Sequence, residues 1–142
     1  MNSIEETVLY IRINSPLTVV ETAFFARHIH MPIRALIAVQ PNLDSETLYR
    51  LAEDEYFTVR LMIAKRDDLP ESLIKYLSND SHYVVRHEIA KKETISEDLM
   101  SQMVNDEDYY VRKGLAENEA LPKKITDILK DDPDPIVRKT LK

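Results

Sequence analysis

The chain has 142 residues, of which 44% are hydrophobic and 31% charged, and its formal net charge is −6. This balance is typical of one globular domain and argues against wholesale disorder. Cysteine is absent and Gly114 is the only glycine, which excludes disulfides and cysteine nucleophiles and disfavours folds that need many glycines at positive φ. The composition therefore favours helices.

No apolar run approaches the length of about 18 residues that a membrane-spanning helix needs. Residues 1–6 carry two glutamates where a secretory signal would carry basic residues. An acidic chain is also a poor nonspecific ligand for nucleic acid or for anionic membranes. We therefore expect a cytoplasmic protein that does not bind membranes.

The first predicted helices differ from the later ones. Residues 4–13 fit a single helix that caps a helical stack, and residues 18–27 fit the first helix of a diverged pair. His28 comes directly after this helix, at the position where the later units carry an aspartate.

From residue 34 onward the sequence repeats with a period of 26 residues. An arginine marks each unit, with a β-branched residue directly before it and an isoleucine or leucine three positions after it. The arginines are Arg34, Arg60, Arg86, Arg112 and Arg138. The aspartates that stand six positions before the later arginines are Asp54, Asp80, Asp106 and Asp132. Aligned columns of this kind predict a stack of similar units, each of which buries the face of its neighbour.

Each unit predicts two short helices. Helix A begins after proline, serine or acidic residues, which suit the N-terminal end of a helix. Helix B begins just before the arginine and runs for about ten residues, and the last helix B is predicted to stop at Lys142. Helices of this length cannot bury an apolar face alone. We therefore expect about eleven helices in about five and a half units, forming a single domain over residues 1–142.

These columns resemble two families of helical repeats. The aspartate, the Val-Arg pair and the following Ile-Ala resemble HEAT repeats, and the Leu-Pro-Glu-x-Leu phrase at 69–73 resembles the leucine-rich-repeat-variant (LRV) class. The resemblance implies an all-α, right-handed α-solenoid, a superhelix whose B helices line the concave face. It also implies a ladder of ion pairs, within or between units, formed by Asp54, Asp80, Asp106 and Asp132 with Arg60, Arg86, Arg112 and Arg138.

The same resemblance predicts that a partner binds on the concave face. If the Val59 and Ile63 columns face the core, steps of 100° per residue leave four columns of helix B exposed, one of which contains Gly114. The predicted partner-binding residues are Leu36, Val39, Leu61, Met62, Lys65, Val84, His87, Glu88, Lys91, Tyr110 and Lys113. They change from apolar to charged along the chain, and an exposed apolar patch usually marks a contact surface. The alternative is that neighbouring B helices pack together and bury Leu36, Leu61 and Met62 as ordinary core.

These patterns predict a protein-binding module, either a small adaptor or an inhibitor of the immunity or antitoxin type. The partner is another protein or a second copy of the chain. Nucleic-acid binding is the alternative, because the B segments are basic while the rest of the chain is acidic.

We predict no catalytic, metal or cofactor site. His28 and His30 lack a third ligand nearby in the sequence. Acidic pairs such as Asp67-Asp68 fall at turns rather than in a cleft, where acid–base catalysis would need them. The chain is therefore not expected to be an enzyme.

Overall fold

The computed structural model describes residues 3–13 and 16–141, without the side chains of residues 12 and 13. Within these ranges the chain is all-helical, with eleven helices and no strand. The helices are α1 Ser3–Ile13, α2 Val19–Phe25, α3 Met31–Ala38, α4 Ser45–Ala52, α5 Phe57–Ala64, α6 Glu71–Leu77, α7 Tyr83–Ala90, α8 Glu97–Met103, α9 Tyr109–Glu117, α10 Lys123–Lys130 and α11 Pro135–Thr140. The prediction of an all-α protein is confirmed. Lys142, where the last helix was predicted to stop, lies outside the described residues.

The helices recur with the period of the sequence. From α2 onward the first helix of each pair begins at residue 19, 45, 71, 97 or 123, and the second at residue 31, 57, 83, 109 or 135. Side-chain caps set several of these starts. The hydroxyl of Thr18 accepts the N–H of Glu21 at 3.3 Å, and the carboxylate of Asp44 accepts the N–H of Thr47 at 2.8 Å. Such a cap contributes about 1 kcal/mol of helix stability.

The chain forms two compact units, Met1–Arg66 and Asp67–Lys142, which we call the N-terminal and C-terminal units. In the N-terminal unit α3 packs against α1, α2, α4 and α5, with Ile33 and Ile37 fully buried. In the C-terminal unit α9 packs against α7, α8, α10 and α11. The prediction of a single domain over residues 1–142 stays a prediction.

An arginine fork joins consecutive helix pairs within each unit. Arg86 donates from Nε and Nη2 to the two carboxylate oxygens of Asp106, at 2.8 and 3.0 Å. Its Nη1 donates to the carbonyl oxygen of Asp80 at 2.8 Å, and the Asp106 carboxylate also accepts the N–H of Asp108 at 2.9 Å. Each arginine therefore binds the turn of its own pair and the aspartate of the next pair. The equivalent forks are Arg34–Asp54 and Arg112–Asp132.

The first fork departs from the predicted ladder. Asp54 receives its fork from Arg34, which the ladder did not include, whereas Arg60 donates to the Asp54 carbonyl at 2.7 Å. His28 replaces the aspartate of the first pair, and Arg34 nevertheless donates to its carbonyl oxygen at 2.8 Å. Arg138 likewise donates to the carbonyl oxygen of Asp132. The backbone contact thus depends on the turn conformation and not on the side chain that the turn carries.

The forks are largely shielded from solvent. In the Arg112–Asp132 pair the side chains are 12% and 4% exposed. Burial raises the pKa of Asp132, but the hydrogen bonds from Arg112 and from the N–H of Asp134, with the charges of Arg112 and Arg138, bring it below its ordinary value. A shielded, bidentate pair of this kind is stable only while both charges are present.

A second column of side chains ends the B helices. Nη1 of Arg66 donates to the carbonyl oxygens of Ala38 and Gln40 at 3.0 and 2.7 Å. The amide of Asn118 donates in the same way to the carbonyl oxygens of Ala90 and Lys92, at 3.1 and 2.8 Å. These donors satisfy carbonyl groups that a helix end leaves without partners. Helices α3 and α7 have eight residues each, fewer than predicted.

Gly114 permits the close approach of α7 and α9. A Cβ atom at this position would lie 2.8 Å from the carbonyl oxygen of His87 and 2.9 Å from its Nδ1. The residue does not have a positive φ, so the requirement for glycine comes from space and not from backbone conformation. The prediction that Gly114 is exposed is wrong, because the neighbouring helix covers it.

Replacing Gly114 by alanine should destabilise the protein. The overlap with the His87 backbone should cost about 1–3 kcal/mol, which exceeds the roughly 1 kcal/mol that alanine gains over glycine within a helix. Urea unfolding followed by circular dichroism measures the change. Gln102→Ala, at an exposed position of α8, is the control and should change the stability by less than about 0.5 kcal/mol. An unchanged or higher stability of Gly114→Ala would contradict the close approach.

Removing the guanidinium of Arg112 should also destabilise the protein. Arg112→Met leaves the Asp132 carboxylate shielded and without its fork, and should lower the free energy of unfolding by about 3–5 kcal/mol. The exposed pair Lys130–Asp127 (2.8 Å) provides the control, since Lys130→Met should cost less than about 1 kcal/mol. The double variant Arg112→Met/Asp132→Asn should recover part of the loss, because no unpaired charge remains. Equal losses for the two single variants would contradict the structural role of the fork.

Candidate protein-binding surfaces

The predicted binding residues of the N-terminal unit are only partly accessible. Val39 and Lys65 are exposed, whereas Leu36, Leu61 and Met62 are half-buried. The alternative interpretation, in which these three side chains are packed, therefore holds in part. Little continuous apolar surface remains on the B helices of this unit.

In the C-terminal unit the predicted residues form a connected cluster. Lys91 is exposed, and the half-buried residues are Val84, Glu88, Tyr110 and Lys113. His87 is only 3% exposed, so the expectation that it faces solvent is wrong. The absence of a side chain at Gly114 brings α9 close enough to cover the imidazole ring.

The environment of His87 determines which nitrogen of its imidazole ring carries the hydrogen. Its ring stacks on Tyr110 with a centroid distance of 4.0 Å, and its Nδ1 lies 2.7 Å from the Tyr110 carbonyl oxygen. Because a carbonyl oxygen can only accept, Nδ1 carries the hydrogen in this contact. Nε2 lies 3.7 Å from a carboxylate oxygen of Glu117, which also pairs with Lys113 and lies 3.8 Å from Lys91.

Two opposing effects set the pKa of His87. Burial lowers the pKa, while the Tyr110 carbonyl and the charges of Glu117 and Glu88 raise it, and the net direction is downward. For Glu117, burial raises the pKa, but the hydrogen bond and charge of Lys113, with His87 and Lys91, bring it below the ordinary value. A neutral imidazole therefore lies beside an ionised carboxylate.

Much of the positive charge of the B segments is already neutralised within the protein. The guanidinium groups of Arg34, Arg86 and Arg112 bind aspartates. Lys113 pairs with Glu117, and its ammonium lies 5.5 Å above the ring centroid of Tyr110. These contacts weaken the case for a phosphate-binding surface on the B helices.

A patch of exposed apolar side chains lies instead on α2 of the N-terminal unit. Val20 and Phe24 are 78% and 69% exposed and, four residues apart, share one face of the helix. Val19 is exposed beside them. We call Val19, Val20 and Phe24 the α2 patch. It lies next to α1, because the rings of Tyr10 and Phe25 are 6.0 Å apart and the Tyr10 hydroxyl donates to Glu21 at 2.8 Å.

The α2 patch is not among the predicted binding residues, although the repeat itself contains the signal. The residues one to four periods after Val20 are Glu46, Ser72, Asp98 and Lys124, and those after Phe24 are Arg50, Tyr76, Gln102 and Ile128. The first column is polar in every later unit, and the second is polar or aromatic in most of them. Ile29, 82% exposed, also stands in a column that is charged or polar until Pro133. The first helix pair is therefore unusual, because it carries apolar residues at repeat positions that face solvent.

His28 and His30 contact each other. Nδ1 of His28 accepts the N–H of His30 at 3.1 Å, and the two rings are 5.3 Å apart. Burial and the charges of His30 and Arg34 lower the pKa of His28.

Across the described ranges, no group of three or more His, Asp or Glu side chains could hold a metal ion. None of the described helices combines the length and the apolar character needed to cross a membrane.

No protein-family model, no curated protein and no solved structure matches this chain.

The environment of His87 predicts a pH-dependent stability. Its pKa is lower in the folded than in the unfolded state, where it is about 6.5, so the unfolded chain takes up the proton first as the pH falls. Stability is then lost below about pH 6.5, by up to about 1.4 kcal/mol per pH unit. His87→Gln lacks this effect, while His28 and the charged neighbours Glu88, Lys91, Lys113 and Glu117 are common to both proteins.

We therefore expect the stability difference between the wild type and His87→Gln to shrink from pH 7 to pH 5, as measured by urea unfolding at each pH. The imidazole proton resonance of His87 should titrate below about pH 6.5. A stability difference that is constant with pH would contradict the burial of a neutral ring.

Proposed function

We propose that this chain is a protein-interaction module that holds a partner protein through the α2 patch. The exposure of Val20 and Phe24, at columns that are mainly polar in the later units, is the observation that carries the proposal. A group of neighbouring apolar side chains exposed to water usually marks a surface that another protein covers.

The proposed partner is a different protein and not a second copy of the chain. Helices α1 and α2 together carry Glu5, Glu6 and Glu21 against a single basic residue, Arg12. Because the whole chain carries a net charge of −6, a basic partner is favoured over a second copy of the same negative charge. A partner with an apolar centre and basic surroundings complements the surface. Phe24 is suited to be its anchor, because a large exposed ring gains most from burial at an interface.

The proposal includes the architecture expected from the HEAT and LRV resemblance. We propose that the helix pairs of each unit stack as a right-handed α-solenoid. The constant spacing of the helix starts and the arginine forks between consecutive pairs support this arrangement. A helical-repeat unit with an exposed apolar patch is suited to the role of an adaptor or an inhibitor, in which binding alone is the function.

The predicted surface on the B helices is the competing binding site. It retains Val39 and Lys65 as exposed residues of the N-terminal unit. Nucleic-acid binding has less support, because aspartates already bind several of the arginines on which it would depend.

Replacing the α2 patch by residues of the later units should abolish partner binding. In Val20→Ser/Phe24→Gln each new residue is one that a later unit carries in the same column, so the fold should be retained. We expect affinity capture from nuclease-treated native lysate to lose its main protein with this variant. Val39→Asp should still capture that protein, and circular dichroism should show unchanged helix content for both variants.

Three other results would assign binding to a different surface or to a different ligand. Loss of capture with Val39→Asp alone would assign binding to the B-helix surface and overturn the proposal. Loss of capture on nuclease treatment would indicate nucleic acid as the primary ligand. A dimer in sedimentation velocity that the α2 variant dissolves would show that a second copy covers the patch.

A further inference from the structure

A groove in the C-terminal unit separates α6 from α8. Its cavity has a volume of about 560 Å³, within the range typical of sites that bind small ligands or peptide side chains. Residues of the segment that precedes α6 and of the turn at 94–96 also line it. The groove and the α2 patch belong to different units, so a ligand of the groove is independent of the function proposed for that patch.

The base and the rim of the groove differ in chemistry. Four apolar side chains form the base: Leu69, Ile74, Ile95 and Leu99. The charged side chains of the rim are Asp67, Glu71, Asp98 and Lys75. An apolar base with a mainly acidic rim suits a side chain that is aliphatic along its length and cationic at its end.

Two of the rim carboxylates are available to a ligand. Asp67 lies 4.0 Å from the ammonium of Lys92 and is partly neutralised by it. Glu71 and Asp98 are exposed, and neither has an ion-pair partner among the described residues. They belong to the first turns of α6 and α8, so the ends of two helices hold them on opposite sides of the groove.

We propose that this groove binds a basic peptide segment of a partner protein. Lysine or arginine side chains of the peptide lie with their aliphatic stems on the apolar base, and their cationic ends meet Glu71 and Asp98. An acidic peptide or a nucleic acid would place its own negative charge against these carboxylates, which disfavours both. A purely apolar segment would leave the rim carboxylates desolvated without a partner.

The test uses the full chain and three labelled heptapeptides. The first is fluorescein-labelled Ala-Lys-Leu-Lys-Ala-Arg-Ala, and the others replace every basic residue by glutamate or by serine. Fluorescence anisotropy should show saturable binding of the basic peptide only. Amide shift mapping by NMR should place the perturbed residues in α6, in α8 and at 94–96.

Charge reversal at the rim provides the matched comparison. Glu71→Lys/Asp98→Lys should weaken binding of the basic peptide roughly ten-fold, because each reversal replaces an attraction by a repulsion. Glu53→Lys/Glu107→Lys changes the net charge by the same amount at exposed positions outside the groove, and should leave the affinity within about two-fold. Circular dichroism verifies that both variants are folded.

Three results would overturn the assignment: binding of the basic peptide no tighter than that of the serine peptide, shifts that map outside the groove, or equal weakening by the two double variants. None of them bears on the α2 patch, whose variant Val20→Ser/Phe24→Gln should bind the basic peptide as the wild type does.

Discussion

The arginine fork is the interaction on which the rest of each unit depends. A single guanidinium, as in Arg86, binds the carbonyl of its own turn and the carboxylate of the next helix pair. The carboxylate of Asp106 in turn accepts the backbone N–H of Asp108, the residue that caps the start of α9. One ion pair therefore sets both the local turn and the position of the neighbouring pair. Because the fork is shielded from solvent, loss of either partner leaves an uncompensated charge, which explains why both residues recur together.

The packing of the C-terminal unit differs between its two sets of helices. On one side Gly114 lets α7 and α9 approach until a carbonyl oxygen of α7 lies 2.8 Å from the place where a Cβ of Gly114 would be. On the other side α6 and α8 leave a groove of about 560 Å³ between them. The same helix pairs thus provide a dense layer, in which His87 is buried, and an open layer that can receive a side chain from outside. The close contact of α7 and α9 contributes to stability, whereas the groove between α6 and α8 is open to a ligand.

The distribution of charge and apolar surface limits what the protein can bind. Basic residues of the B segments are engaged by Asp54, Asp106, Asp132 and Glu117, so their charge serves packing. By contrast, Glu71 and Asp98 of the C-terminal groove have no ion-pair partner among the described residues, and Val20 and Phe24 of α2 stay largely exposed. Both proposed surfaces favour a partner protein with basic residues, although they differ in how much apolar area they would bury.

The sequence by itself determined the helical class and the spacing of the helix starts. These features arise from short-range rules, since capping residues and apolar periodicity act within a few residues of each other. Tertiary structure decided which aspartate each arginine binds, because Arg34 and Asp54 are 20 residues apart and meet only when helix pairs pack. It also decided that His87 is buried and that Val20 and Phe24 are exposed. A step of 100° per residue gives the direction of a side chain along its helix, but burial depends on whether another helix lies in that direction and how closely it approaches.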